Sequence, residues 1–91
     1  MTKRIHLDAR RMKDRQAVYD YFSEVFDFPE YFGKNLDALY DCLSEVSEPT
    51  EIEITQNNYA QITHDAFARR VWRVIQQACK ENPYLHCVYV L

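Results

Sequence analysis

P-E-Y-F-G-K-N-L-D-A-L-Y-D-C-L, the stretch from Pro29 to Leu43, contains the one glycine of this 91-residue protein, Gly33. Asn35 follows two residues later and suits a helix N-cap, because its side-chain oxygen can accept an orphan backbone N–H. A helix is predicted from Leu36 to about Glu45. Leu36, Leu39, Leu43 and Val46 recur at helical spacing and give it one apolar face. Asp37 and Asp41 lie four residues apart on a different face, with Tyr40 beside them. Like charges at that spacing cost an isolated helix roughly 0.2–0.5 kcal/mol. The helix dipole favours an anion at Asp37 in the first turn, but helps Asp41 little. An acidic face of this kind is either simply solvated or a patch waiting for a cation supplied by another molecule. Tyr31 and Tyr40 in or beside it favour the second reading, since tyrosine is enriched at interface hot spots. Gly33 is expected to supply a backbone conformation, or a close approach, that a side chain would block.

Working outward, the charge is unevenly spread. Between Gln16 and Ala68 there are eleven acids and one base, Lys34, a net of −10; the remaining residues carry +7, and the whole chain −3. A split of this size concerns partners and association rates. The acidic middle should attract a basic partner and repel nucleic acid. Arg69, Arg70 and Arg73 form a basic side on a later helix, but without the glycine or aromatic interleaving of a nucleic-acid surface.

The length suits a single domain, residues 1–91, with one core and no room for a deep cofactor cavity. The first fifteen residues have no apolar core of a secretory signal, and no apolar run approaches a membrane span. Cys42, Cys79 and Cys87 include no short-spaced pair and read as reduced thiols, so a cytoplasmic protein is expected.

Arg4 to Leu7 reads as a strand, in which His6 is an ordinary strand residue. Asp14 is placed to cap a first helix, whose Val18, Tyr21, Phe22, Val25 and Phe26 match the amphipathic template; Pro29 follows its end. After the acidic helix, Glu51 to Thr55 alternates strictly as E-I-E-I-T and reads as a strand with one polar face, suggesting an edge position. Gln56 to Ile62 reads as a loop or short helical turn. Thr63 is expected to cap a third long helix with Asp65 in its first turn and Phe67, Val71, Val74, Ile75 and Ala78 on its buried face; Trp72, one step off that stripe, is expected to widen the core face. Asn82-Pro83 stops it. Leu85 to Leu91 is nearly all apolar, which suggests a strand buried on both faces. The fold class is α/β: three strands joined by helical crossovers, hence a small parallel sheet flanked by helices.

No motif points to catalysis. Cys42 falls on the apolar side of its helix and reads as a buried structural thiol. His86 and Cys87 are adjacent on a strand, so they point to opposite faces and cannot share a metal. The CxxC, HExxH, GxGxxG and P-loop patterns do not occur. Asp37 and Asp41 on a convex helix have neither the cleft nor the water exclusion that acid–base chemistry needs. No enzyme activity, cofactor or metal is expected.

The central stretch resembles the barstar family, intracellular inhibitors of secreted barnase-type ribonucleases. The resemblance rests on Pro29, Glu30, Tyr31, Gly33, Asn35, Leu36, Asp37, Ala38, Leu39, Asp41, Cys42 and Leu43, and extends more weakly over nearly the whole chain. It implies a small parallel sheet flanked by helices and an inhibitor that plugs a cationic active site with the loop and second helix. Asp41 would stand in for a substrate phosphate, with Asp37 as the second anion. Tyr31 and Tyr40 would be aromatic anchors, and Gly33, Asn35 and Leu36 would give backbone and shape contacts. Tyr40 stands where the best-known member has tryptophan, Phe32 where it has tyrosine, Lys34 where it has an acid, and Gln77 where it has a contacting glutamate. The implied partner is a basic ribonuclease, bound one to one by a protein that is monomeric when free. The alternative is an interaction or immunity module for a different nuclease toxin or a non-nuclease protein.

Overall fold

The computed structural model describes residues 2–90. Strand β1 (Lys3–His6) leads through a 3-10 turn (Ala9–Arg11) into helix α1 (Arg15–Phe26). Helix α2 (Leu36–Ser44), strand β2 (Thr50–Thr55), helix α3 (Gln56–His64), helix α4 (Ala66–Glu81) and strand β3 (Leu85–Val90) follow. The strands form one parallel sheet in the order β1-β2-β3. The expected α/β class and parallel sheet are therefore present. Met1 and Leu91, the last being the expected end of β3, lie outside the described residues.

The helix starts follow from local chemistry. Asp14 accepts from the Ala17 N–H, Asn35 from Ala38, Thr55 from Asn58 and Asp65 from Ala68. Two expectations are corrected here. Residues 56–62 belong to a full helix, α3, because the last residue of β2 caps it. Asp65, not Thr63, caps the long helix α4, while the Thr63 hydroxyl donates back to the Tyr59 and Ala60 carbonyls.

Two strand expectations are also corrected. The E-I-E-I-T strand is central, not at an edge: Ile52 stands opposite Ile5 on one side and Cys87 on the other. One face of the sheet is packed, with Ile5, Ile52, Ile54 and Leu85 buried. The other carries Arg4, His6, Glu51, Glu53 and His86. Polarity on one face signalled an open face of a two-layer fold, which sequence alternation does not distinguish from an edge. Glu51 lies 3.9 Å from Arg4, and Glu53 lies 2.9 Å from the His6 Nδ1. Strand β3 is not buried on both faces: Leu85 is buried, His86 is exposed, and Tyr89 and Val90 are exposed at an edge. Tyr89 instead packs edge-on against Trp72 and Tyr59. Trp72, one step off the stripe of α4, is buried and widens the core face as expected.

The core joins Val18, Tyr21 and Phe22 of α1, Leu39 and Leu43 of α2, and Val71, Ile75 and Ala78 of α4 to the packed sheet face. Asn82, only 7% exposed, is its polar clamp. Its amide donates to the Leu43 and Val46 carbonyls at 3.0 Å each, and its side-chain oxygen accepts from the Tyr84 N–H at 2.9 Å. This residue therefore fixes the C-terminal end of α2 against the exits of α4. An unsatisfied buried polar group costs about 1–3 kcal/mol. Asn82→Ala is expected to lower stability by about 2 kcal/mol on that basis, read as a lower urea midpoint. An unchanged midpoint would remove Asn82 from this role.

Candidate functional site: an acidic helix and the loop before it

Aromatic packing positions the loop. Phe22 and Phe26 of α1, then Phe28 and Phe32, form a continuous series with ring centroids 5.0–5.9 Å apart, and Phe32 meets Tyr19 at 5.9 Å. Phe32 is buried, whereas Tyr31 is 85% exposed. One aromatic of the Tyr31–Phe32 pair thus anchors the loop and leaves the other in solvent. The Phe32 N–H bonds the Pro29 carbonyl at 2.9 Å, which closes the turn beneath Tyr31.

Gly33 serves close approach, not an unusual dihedral. A Cβ there would lie 3.3 Å from the Asn35 Nδ2 and 3.4 Å from the Ala38 Cβ. The left-handed conformation falls on Lys34, at φ 48°, an uncommon region for a side-chain-bearing residue. Asn35 is fully committed to the loop: Oδ1 accepts from Ala38 at 2.8 Å and Nδ2 donates to the Gly33 carbonyl at 3.1 Å. Leu36 is half-buried against the core.

Asp37 and Asp41 are exposed on α2. Neither has a salt bridge or side-chain hydrogen bond among the described residues. The same holds for Asp27, Glu30, Glu45 and Glu48. Elsewhere in the acidic middle of the chain, Asp20 meets Lys34 at 3.2 Å, Glu24 meets Arg11, and Glu51 and Glu53 meet β1. Lys34 from within the acidic span, and Arg4, His6 and Arg11 from outside it, thus meet part of its carboxylates. The acids left unpaired among the described residues are those of α2 and its flanks, and Lys34, the base in the loop before α2, is turned to Asp20.

Tyr40 and Gln77, from α2 and α4, meet at a residue that sequence reasoning missed. The Tyr40 hydroxyl and the Gln77 amide both donate to the carboxylate of Glu81. Glu81 is four residues beyond Gln77 on one helical face; that spacing was readable, but its approach to Tyr40 is tertiary. The structure joins Asp37, Tyr40 and Asp41 of α2 to Gln77 and Glu81 of α4 through this contact, and leaves Tyr31 projecting alone from the loop. Cys42 departs from its expected burial: it is half-buried beside an open pocket lined by Phe26, Phe28 and Val46. Burial, then the carboxylates of Glu45 and Asp41, push its thiol up.

These features define a small α/β protein whose second helix packs its apolar face into the core and leaves its acidic face in solvent. A family model described as Barstar (barnase inhibitor) matches residues 2–89. The chain belongs to the barstar family. It is also similar to "Putative ribonuclease inhibitor YrdF" of Bacillus subtilis (strain 168), with 32% identity over 80 residues covering 87% of this chain and 88% of that protein. The family is one of inhibitors, not enzymes, as the sequence led us to expect. No helix among the described residues is long and apolar enough to cross a membrane.

The hydrogen bond from Tyr40 holds the Glu81 carboxyl below the usual glutamate range, with the Gln77 amide adding to it. The same bond pushes the Tyr40 phenol up. A depressed carboxyl stabilises the fold above its unfolded pKa, and that contribution is lost as pH falls through the folded value. In Tyr40→Phe, carboxyl-detected NMR titration should show the Glu81 pKa rising toward that of an ordinary glutamate. An unchanged Glu81 titration would mean the contact does not persist in solution.

Proposed function

We propose that this protein inhibits a basic, barnase-type ribonuclease by presenting α2 and the loop from Pro29 to Asn35 to the enzyme's cationic active site. The reading rests above all on the run of unpaired acids along α2 and its flanks. A carboxylate already bound to an internal base offers little to a second cation, but Asp37 and Asp41 are both uncommitted. In this reading Asp41 occupies the place of a substrate phosphate and Asp37 is the second anion. Arginine forks pair readily with carboxylates, which supplies the complementary chemistry.

Tyr31 and Tyr40 are the aromatic anchors. Gly33, Asn35 and Leu36 set the loop backbone and the shape of the contact. Gln77 borders the patch, and Glu81 adds a carboxylate there. The protein acts as one domain, residues 1–91, monomeric when free and binding its target one to one in the cytoplasm without a cofactor. We assign target choice to Lys34, Tyr40 and Gln77, where the sequence departs from the best-known family pattern.

Barnase and barstar are themselves a reference pair for charged hot spots and steered association, so the following magnitude is that of hot spots in general. Asp41→Ala should weaken binding to the ribonuclease by at least about 2 kcal/mol, as hot-spot truncations do, while circular dichroism and urea stability stay close to the parent. Titration calorimetry with a parallel RNA-cleavage assay reads this. Equal affinity in a folded variant would end the role given to Asp41. The association rate should also fall steeply as sodium chloride is raised, because the Debye length shrinks from about 10 Å at 0.1 M to about 3 Å at 1 M. A salt-independent rate in stopped flow would contradict electrostatic steering.

A further inference from the structure

Cys79 lies on the last turns of α4 and Cys87 in the middle of β3, eight residues apart in sequence and on different elements. Their sulfurs are 2.9 Å apart. Both are half-buried free thiols. They share the lining of an open groove of about 320 Å³ with Gln76, Lys80, His86 and Tyr89, so a small oxidant has a route to them from solvent.

We propose that Cys79 and Cys87 form a built-in dithiol that closes to a reversible intramolecular disulfide when the protein meets hydrogen peroxide. A disulfide requires an S–S distance of about 2.05 Å. The two sulfurs must therefore approach by less than one bond length.

The chemistry has a defined order. The hydrogen bond between the two sulfurs holds the Cys87 thiol below its usual range, while the same bond and burial push Cys79 up. Cys87 is thus the nucleophile. Its thiolate attacks one peroxide oxygen and the O–O bond breaks. Cys87 becomes a sulfenic acid, and the departing hydroxide takes up the thiol's proton as water. The Cys79 sulfur then attacks the Cys87 sulfur. The S–S bond forms, the S–O bond breaks, and the leaving hydroxide takes the Cys79 proton as a second water. Peroxide gains two electrons and the two thiols lose two. Cys42 has no thiol neighbour among the described residues and a thiol pushed up by burial and two carboxylates, so it serves as an internal control. The disulfide would tie the end of α4, which carries Gln77 and Glu81, to β3.

The test uses the full chain, reduced with dithiothreitol, desalted and treated with equimolar hydrogen peroxide. The expected product is a monomer lighter by two hydrogens, with a Cys79–Cys87 linked peptide in the proteolytic map and the Cys42 thiol still titratable. It should melt at a higher temperature than the reduced form, and dithiothreitol should reverse the change. Cys42→Ser should behave in the same way. Cys79→Ser should leave a sulfenic acid at Cys87 that dimedone captures. Should Cys79→Ser fail to fold, the map of the unsubstituted chain decides alone. Oxidation confined to Cys42, cross-linked dimers, or peroxide-treated protein with no Cys79–Cys87 peptide would each overturn the proposal.

Discussion

The architecture depends on one buried side chain that ties together the ends of two helices and the start of a strand. Asn82 closes α4, receives the end of α2 on its amide and starts β3 through the Tyr84 N–H. The register of the sheet continues from that point, since the Thr50 N–H bonds the Tyr84 carbonyl at 2.8 Å and the Lys3 N–H bonds the Pro49 carbonyl at 2.9 Å. Asparagine suits the position because one side chain offers both donors and an acceptor. An aspartate would present two acceptors to carbonyls that need a donor. The orientation of the acidic helix thus follows from a residue far from it in sequence and directly beneath its end.

The acidic face can be carried because different side chains of α2 do different work. Repulsion between Asp37 and Asp41 costs roughly 0.2–0.5 kcal/mol. Fully burying a leucine is worth about 1.5–3 kcal/mol, and both Leu39 and Leu43 are fully buried. The packed side of the helix therefore outweighs the charged side several-fold. Both aspartates are exposed, so replacing either touches no core contact.

The sequence revealed whatever is local. Asp14 and Asn35 were readable as caps, and the α1 stripe was readable from period alone. Elements whose character depends on their neighbours were not. The E-I-E-I-T strand has the same alternation whether its polar side lies at an edge or on an uncovered sheet face. Leu85 to Val90 is apolar enough for a central strand, yet part of that apolarity serves an aromatic contact of Tyr89 with Trp72 and Tyr59. Q-N-N-Y-A-Q-I-T-H has little apolar periodicity, so α3 depended on recognising Thr55 as both strand end and cap. Within the site, the acids, tyrosines and loop were legible. The convergence of Tyr40 and Gln77 on Glu81 was not, because it spans two helices.

Parallel sheets are ordinarily covered on both faces, and this one is not. Its open face is made tolerable by polar pairing: Glu51 on the central strand faces Arg4 across the ladder, and opposite charges on paired strands stabilise a sheet modestly, while Glu53 lies beside the His6 imidazole. That arrangement also decides where the protein is acidic. Two of the glutamates in the acidic middle are drawn to the sheet and matched by the basic amino-terminal strand, while Asp20 and Glu24 are matched on α1 by Lys34 and Arg11. Subtracting these pairs leaves the unmatched negative charge on α2 and the segments flanking it. The fold thereby turns a broad sequence asymmetry into a local surface field around α2 and its flanks.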